Sequence, residues 1–202
     1  MNQPKSILSA FLLLVVTAVL THSAAAQSDT KIQADQDYDI TLQVLIGTNE
    51  AGPRFDVPQN LSTISKQLKS NFAFSGYRLA NTFLGRVSNT GSFDYKSVSD
   101  ALGQESAGGV PSFLEWSIGG LRGTSAGLQA QSFRFGARVP VMSINARDET
   151  GKPMSVYNYE SIGLNIARLG ISENVPTLLG SLSLPKTNGT LFLVLTLTPV
   201  KR

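Results

Sequence analysis

Residues 190–198, near the end of the chain, alternate strictly between two sets of side chains. Successive side chains of an extended strand point to opposite faces, so this pattern predicts a β-strand with one face made of leucine alone. The four leucines are Leu191, Leu193, Leu195 and Leu197. Because the other face begins with Phe192 and Val194, we expect a central strand of a sheet, covered on its leucine face and partly covered on the other.

A membrane-spanning β-strand has a similar length, about 9–11 residues, and also alternates. Membrane barrels, however, need many such strands, with aromatic girdles and a polar lumen. The first half of this chain predicts a helix, loops and glycine-rich sequence instead. We therefore expect residues 190–198 to belong to a soluble sheet, and a small outer-membrane pore component stays open as an alternative.

The first 26 residues have the order of parts of a secretory signal peptide. Lys5 supplies a positive charge, residues 7–20 form an apolar run, and the small residues of "THSAAAQ" follow. The run is shorter than the about 20 residues that a membrane-spanning helix needs. We predict cleavage near Ala26, export to the periplasm or the cell exterior, no membrane span in the mature chain, and a flexible leader over residues 27–37.

The composition excludes several kinds of chemistry. The chain has no cysteine, and its one histidine, His22, lies in the predicted signal peptide. Disulfides, thiolate or imidazole catalysis and zinc sites of the usual ligands are therefore excluded from the mature chain. Asp35, Asp37 and Asp39 imitate the start of a calcium loop, but isoleucine occupies the positions where glycine and glutamate belong. We predict no metal and no cofactor, and a net charge of only +3 argues against nucleic acid as a partner.

Residues 38–87 predict two strands with a helix between them. Tyr38 to Ile46 alternates between apolar and polar residues, as a half-buried strand does. Asn60 stands where it can cap a helix, and apolar residues follow at helical spacing: Leu61, Ile64, Leu68 and Phe72. Residues 76–87 return to a period of two. The pattern predicts a βαβ unit whose connection is long enough for its two strands to be parallel.

The rest of the chain predicts a loop segment followed by strands. Residues 88–127 are rich in glycine and predict a glycine-rich loop segment. Residues 128–202 contain short strand patterns separated by turn signals: 133–144, 154–169, 175–184 and 190–198. Such spacing predicts antiparallel pairing. The predicted fold class is α+β, with an N-terminal βαβ unit joined to a C-terminal antiparallel β-sheet or sandwich.

The motifs that suggest catalysis are weak. The S-x-x-K motif at 183–186 falls in a predicted hairpin turn and not at the start of a helix. The glycine-rich stretch 119–127 lacks the G-K-[ST] element and the following helix of a phosphate-binding loop. An enzyme would depend on a carboxylate pair, for which Glu115 and Glu160 are the acids in apolar surroundings. We predict a protein without catalytic activity, with a carboxylate-dependent hydrolase of envelope polymers as the alternative.

Four arginines make the candidate binding residues. Arg78 and Arg86 share one side of their predicted strand, and Arg134 and Arg138 share one side of theirs. If the two strands are neighbours, four guanidinium groups line one face and could bind an acidic partner. The alternative is a solvated face that only keeps the protein soluble.

The C-terminal segment, about 173–200, resembles the closing segment of the secretins, the pore proteins of bacterial secretion and pilus systems. In that family a V-P-x-L-G run precedes a strand that ends in T-P. The matching residues here are Val175, Pro176, Leu178, Leu179, Gly180, Thr198 and Pro199. The N-terminal βαβ unit also resembles the small periplasmic modules of that family. The resemblance implies an envelope-assembly module.

These observations combine into one predicted function. We expect a secreted or periplasmic, non-enzymatic binding or assembly module of the bacterial cell envelope that acts through a sheet face or a sheet edge. A free edge can add a strand from a partner. The expected partner is another envelope protein or an acidic surface, and the oligomeric state is left open. The hydrolase and the pore component are the two alternatives.

Overall fold

The computed structural model describes residues 36–49, 57–99, 102, 110–125, 127–143, 147, 149–152, 154 and 156–201. The predicted signal peptide and residues 27–35 of the predicted leader lie outside the described residues. Asp37, the last residue of that leader, already belongs to the first strand. Within the described part of the chain, no helix is long and apolar enough to cross a membrane.

Two antiparallel sheets form the body of the protein. The first contains β1 (Asp37–Thr48), β2 (Gly76–Ser88), β8 (Thr177–Ser183) and β9 (Thr190–Pro199), in the order β2–β1–β9–β8. The second contains β3 (Phe93–Ser99), β4 (Ser112–Gly119), β5 (Arg122–Thr124), β6 (Gly127–Ser143) and β7 (Val156–Ile171). In the second sheet β6 is central, because β4 and β5 pair with one of its edges and β7 pairs with the other. The predicted fold class, α+β with an antiparallel β body, is confirmed.

The inner faces of the two sheets share one hydrophobic core. It joins the leucines of β9 to side chains of the second sheet such as Trp116, Phe133 and Phe135. Burying such alternating apolar faces against each other is the main stabilising contribution in a sandwich of two sheets. The predicted leucine face of β9 is therefore confirmed, and β9 lies between β1 and β8 as a central strand.

The helix α1 (Ser62–Asn71) covers part of the outer face of the first sheet. Its buried residues Ile64 and Leu68 pack against Phe192 and Val194 of β9. The helix explains why β9 is apolar on both faces, since one face meets the second sheet and the other meets α1. The cover is partial, as predicted, because Thr198 at the end of the same face is exposed.

The predicted N-cap of α1 is wrong. Asn60 lies within a 3₁₀ turn (Gln59–Leu61), and the residue before the helix is Leu61, which makes no side-chain capping bond. The turn closes through a hydrogen bond from the Leu61 amide to the Pro58 carbonyl oxygen, at 2.8 Å. Because this turn already directs the chain into the helix, the amide side chain of Asn60 is not at the capping position.

The two strands of the predicted βαβ unit are antiparallel neighbours. Thr48, at the end of β1, lies opposite Gly76, at the start of β2. The connection therefore leaves and re-enters the sheet at the same end, which a parallel arrangement would not allow. The unit also shares its sheet with β8 and β9. The length of the connection permitted either direction.

The predicted glycine-rich loop at 88–127 contains three strands. In β4 the side chains of Leu114, Trp116 and Ile118 are buried, and those between them are exposed or half-buried. This is the alternation of a half-buried strand. The loop prediction was wrong because it was based on the number of glycines and not on the alternation of apolar residues in β4. Further along, β6 begins at Gly127, six residues before the predicted start of that strand.

Hydrogen bonds tie the start of β1 to the C-terminal part of the chain. The Gln36 side-chain amide donates to the Val200 carbonyl oxygen at 3.0 Å. The hydroxyl group of Tyr38 donates to the Glu173 carboxylate at 3.0 Å. Burial, together with the hydrogen bond and the charge of Glu173, raises the pKa of Tyr38 to about 12.

The raised pKa of Tyr38 predicts a loss of stability in alkali. An unfolded tyrosine has a pKa of about 10, so its contribution is complete below pH 10 and is lost as the pH rises through about 12. We expect the free energy of unfolding to fall by about 1 kcal/mol between pH 9 and pH 11 because of this group. Urea unfolding, followed by the fluorescence of Trp116, measures it.

The variant Tyr38→Phe should lose less stability over that pH range than the wild type does. Part of the loss will remain, since burial also raises the pKa of Tyr77. If Tyr38→Phe and the wild type lose the same free energy of unfolding between pH 9 and pH 11, the loss does not come from Tyr38.

Candidate interaction surface

The outer face of the second sheet carries exposed apolar side chains beside an arginine. Val98 is 57% exposed, Phe113 37% and Tyr159 41%. Val98 lies opposite Phe113 across β3 and β4, and Phe113 lies opposite Arg138 across β4 and β6. We call Val98, Phe113, Arg138 and Tyr159 the aromatic–arginine row.

The members of the aromatic–arginine row contact one another. The rings of Phe113 and Tyr159 have their centroids 5.4 Å apart. The Cζ atom of Arg138 lies 4.8 Å from the centroid of the Phe113 ring, within the range of a cation–π contact. The hydroxyl group of Tyr159 donates to the Pro111 carbonyl oxygen at 3.1 Å. These contacts hold two aromatic rings and a guanidinium group on the solvent side of the sheet.

Arg134 and Arg138 point outward because of the alternation in β6. Their neighbours Phe133 and Phe135 are buried in the core between the sheets, and alternate residues of a strand face the opposite side. Both arginines are exposed. Within the described part of the chain, neither has a carboxylate within 4.0 Å. The two charges are therefore available to a partner.

Arg78 and Arg86 lie in the first sheet and do not join them. A register shift between β1 and β2 leaves Ala80 without a partner residue. Beyond that bulge Arg78 lies opposite Ile46, a residue of the inter-sheet core, whereas Arg86 lies opposite the exposed Asp39. The single face of four arginines predicted from the sequence is thus not formed, because β2 and β6 belong to different sheets and because the bulge places Arg78 and Arg86 on opposite sides of β2.

Arg86 has a local partner on the surface. Its Nε atom donates to a carboxylate oxygen of Asp39 at 2.8 Å, and both side chains are more than half exposed. Exposed ion pairs of this kind contribute little to stability. The binding role of all four arginines stays a prediction, and the geometry concentrates it on Arg134 and Arg138.

Glu115 moderates the charge of the outer face. The carboxylate of Glu115 lies over Gly136 of β6, since a Cβ atom built on this glycine would be 3.4 Å from a carboxylate oxygen. Gly136 is midway between Arg134 and Arg138 in the sequence of β6. Glu115 also pairs with Lys96, at 3.8 Å. The result is a face of mixed charge that is locally basic.

The two acids of the hydrolase alternative are not brought together. Glu115 in β4 lies opposite Gly136, and Gly136 lies opposite Gly163 of β7, three residues from Glu160. Standard strand spacings place the two Cα atoms about 14 Å apart. Glu160 lies opposite the buried Val139, so by alternation the two acids also belong to opposite sides of the sheet.

Phe113 and Tyr159 were missed as candidate binding residues. The signal that could have found them is their position in the alternation. In β4 the buried apolar residues are Leu114, Trp116 and Ile118, so Phe113 falls on the side of Glu115. Large apolar residues that lie together on the polar side of a sheet are a feature that indicates a contact surface.

The comparisons with known proteins concern the fold. No family model matches the chain, and no curated protein matches it. Among solved structures, the chain is similar to the Salmonella SPI-1 type III secretion injectisome secretin InvG (residues 176-end) in the open gate state. The two sequences are 12% identical, and the TM-score is 0.33. The alignment covers 98% of this chain and 67% of InvG. The resemblance is to secretins, and it is weak.

Two other secretin assemblies give similar values. The Salmonella injectisome basal body of InvG, PrgH and PrgK is 11% identical, covering 96% of this chain and 50% of that one, with a TM-score of 0.27. The Klebsiella pneumoniae type II secretion outer membrane complex of PulD, PulS and the PulC HR domain is 12% identical, covering 83% and 39%, with a TM-score of 0.29. The weak, partial resemblance to secretins that residues 173–200 predicted is confirmed.

Proposed function

We propose that the protein is a non-enzymatic binding and assembly module of the bacterial cell envelope. It is exported, and it binds an acidic surface of another envelope protein through the aromatic–arginine row. The observation that carries the proposal is the stacking of Arg138 on the exposed Phe113, with Tyr159 beside them. Tyrosine and arginine are enriched among the residues that contribute most to binding between proteins.

The geometry of the row lowers the cost of binding. A free arginine side chain loses rotamer freedom when a partner fixes it. Here the ring of Phe113 already restricts the guanidinium group of Arg138, which can then donate two parallel hydrogen bonds to a carboxylate. Phe113 and Tyr159 keep more than a third of their surface exposed. Burial of that surface would supply the apolar part of the binding free energy.

The proposed function requires no catalytic group. The mature chain would contain neither histidine nor cysteine, and Glu115 and Glu160 lack the facing arrangement that a carboxylate-dependent hydrolase requires. Binding through a sheet face needs none of these groups. The resemblance to secretins agrees with an envelope role, since the similar structures are themselves parts of secretion complexes.

Capture from envelope extract tests the proposal. The immobilised protein should retain a specific partner from its native host, and Arg138→Glu should reduce that capture at least about tenfold, as expected for a binding contribution above 1.4 kcal/mol. Tyr159→Ala should reduce it as well. Lys69→Glu makes the same reversal of charge on the exposed side of α1 and should leave capture unchanged.

The folding of each variant is checked by circular dichroism and by the fluorescence of Trp116. Retention of the same partner by folded Arg138→Glu and Tyr159→Ala would refute the proposed surface. Equal losses in Lys69→Glu and Arg138→Glu would indicate unspecific electrostatic binding in place of a defined contact.

A further inference from the structure

The outer face of the second sheet continues beyond Arg134 as a polar surface. Arg122 of β5 and Gln129 of β6 lie opposite each other. Leu128 and Ala130, on either side of Gln129, are buried in the core, so Gln129 faces outward. Its side-chain carbonyl oxygen accepts hydrogen bonds from both Nε and Nη2 of Arg122. This contact places the guanidinium group of Arg122 on the outward side as well.

Arg168 of β7 joins this surface through an irregularity of the backbone. Ile166 and Leu169 both pack against the core, whereas Ala167 and Arg168 between them are exposed. Arg168 has a φ of 58°, and at this residue the alternation of β7 changes sides. The pairing of β6 with β7 skips both Arg168 and Gln131, which is also exposed. Two successive side chains of β7 therefore lie away from the core.

The backbone of Arg168 is in the left-handed region, which glycine and asparagine occupy more readily than arginine does. Residues that are held in such a conformation are concentrated at binding sites and other functional positions. This argues for a role of the guanidinium group, because a glycine would form the same backbone without strain.

Three guanidinium groups thus follow one another across the outer face. Standard strand spacings place the Cα atom of Arg168 about 11 Å from that of Arg134 and about 12 Å from that of Arg122. Within the part of the chain that the structure describes, none of these arginines has a carboxylate within 4.0 Å. Side-chain amides lie beside them, and we call the six residues the arginine track: Arg122, Arg134, Arg168, Gln129, Gln131 and Asn165.

The chemistry of the arginine track differs from that of the aromatic–arginine row. None of its six residues, and none of the residues paired with them in β5, β6 and β7, is a large exposed apolar side chain. Contacts between proteins usually depend on such apolar anchors. Guanidinium groups bind carboxylates, and amide groups both donate to and accept from hydroxyl groups. The track therefore fits a hydrophilic chain that repeats carboxylates and hydroxyl groups.

We propose that the arginine track binds a linear acidic polysaccharide. The carboxylates of the polysaccharide pair with Arg122, Arg134 and Arg168, and its hydroxyl groups form hydrogen bonds with the amides beside them. Gln129 positions Arg122 for this contact and leaves the remaining N–H groups of the guanidinium to a carboxylate. The track shares no residue with the aromatic–arginine row, so the site goes beyond the function proposed above and does not depend on it.

Titration calorimetry with hyaluronan, a soluble polysaccharide with one carboxylate in each disaccharide, tests the proposal. The purified protein should bind hyaluronan at low salt, more weakly as the salt concentration rises, and should not bind the neutral polysaccharide dextran. The double variant Arg122→Gln/Arg168→Asn should bind hyaluronan at least about tenfold more weakly. Asparagine readily adopts the φ of Arg168, so the melting temperature should not fall at this position.

The matched control removes the same charge elsewhere. Lys66→Gln/Lys69→Gln acts on the exposed side of α1 and should leave the affinity for hyaluronan unchanged. Equal losses in the two double variants, or equally tight binding of double-stranded DNA, would show unspecific attraction between charges and overturn the proposal. It would also be overturned by a wild type that does not bind hyaluronan at millimolar concentrations of its disaccharide, or by binding that survives in folded Arg122→Gln/Arg168→Asn.

Discussion

Replacing Leu193 or Leu195 of β9 by alanine should lower the free energy of unfolding by about 2–5 kcal/mol. Both side chains are fully buried in the core between the two sheets. Truncation removes their burial from water and also leaves a cavity, since sheets on both sides hold the surrounding side chains in place. A loss of this size is a large share of the stability of an ordinary domain.

Thr198→Ala supplies the matched control in the same strand. Thr198 is exposed on the face opposite the leucines, so its truncation should cost less than ~1 kcal/mol. Urea unfolding of the three variants, followed by the fluorescence of the buried Trp116, gives the comparison. If the leucine and threonine variants unfold at the same urea concentration, the leucine face does not meet a packed core and the sandwich is wrong.

Phe192→Ala should lower the free energy of unfolding by about 3–5 kcal/mol. Phe192 is fully buried on the α1 side of the first sheet. Its ring centroid lies 4.8 Å from that of Phe72 and 6.0 Å from that of Tyr77. Its removal therefore leaves a cavity and also breaks aromatic contacts between β9, β2 and the segment that follows α1.

Phe192 and Leu193 are adjacent in β9 but face different layers, so amide hydrogen exchange can separate their effects. Phe192→Ala should increase exchange in α1 more than in β6, because it weakens the packing beneath the helix. Leu193→Ala should disturb β6 at least as much as α1. Exchange in α1 that is unaffected by Phe192→Ala would contradict the packing of the helix on this face.

Local patterns were sufficient to predict the elements that are regular over many residues. The alternation in β9 correctly placed its leucines in a core, and the helical spacing around Ile64 and Leu68 located α1. These signals are local, because they arise from the direction of successive side chains in a strand or a helix. They do not state which strands pair or in which direction.

Several of the failures concern features set by pairing between distant segments. The bulge at Ala80 reverses the sides of Arg78 and Arg86, and nothing in the surrounding sequence marks it. The antiparallel direction of β2 lies in its pairing with β1, which the length of the connection does not determine. The contact of Phe113 with Tyr159 joins residues from β4 and β7, which meet only because both strands lie beside β6.

Site-specific photo-crosslinking in the native host tests the proposed function most directly. A photoreactive phenylalanine analogue at position 113 should form a crosslink to one specific envelope protein, and the additional substitution Arg138→Glu should abolish it. The same analogue at Leu84, which is 70% exposed on the outer face of the first sheet, should form no such product. A crosslink to the same protein from Leu84, or none from position 113, would contradict the proposed binding surface.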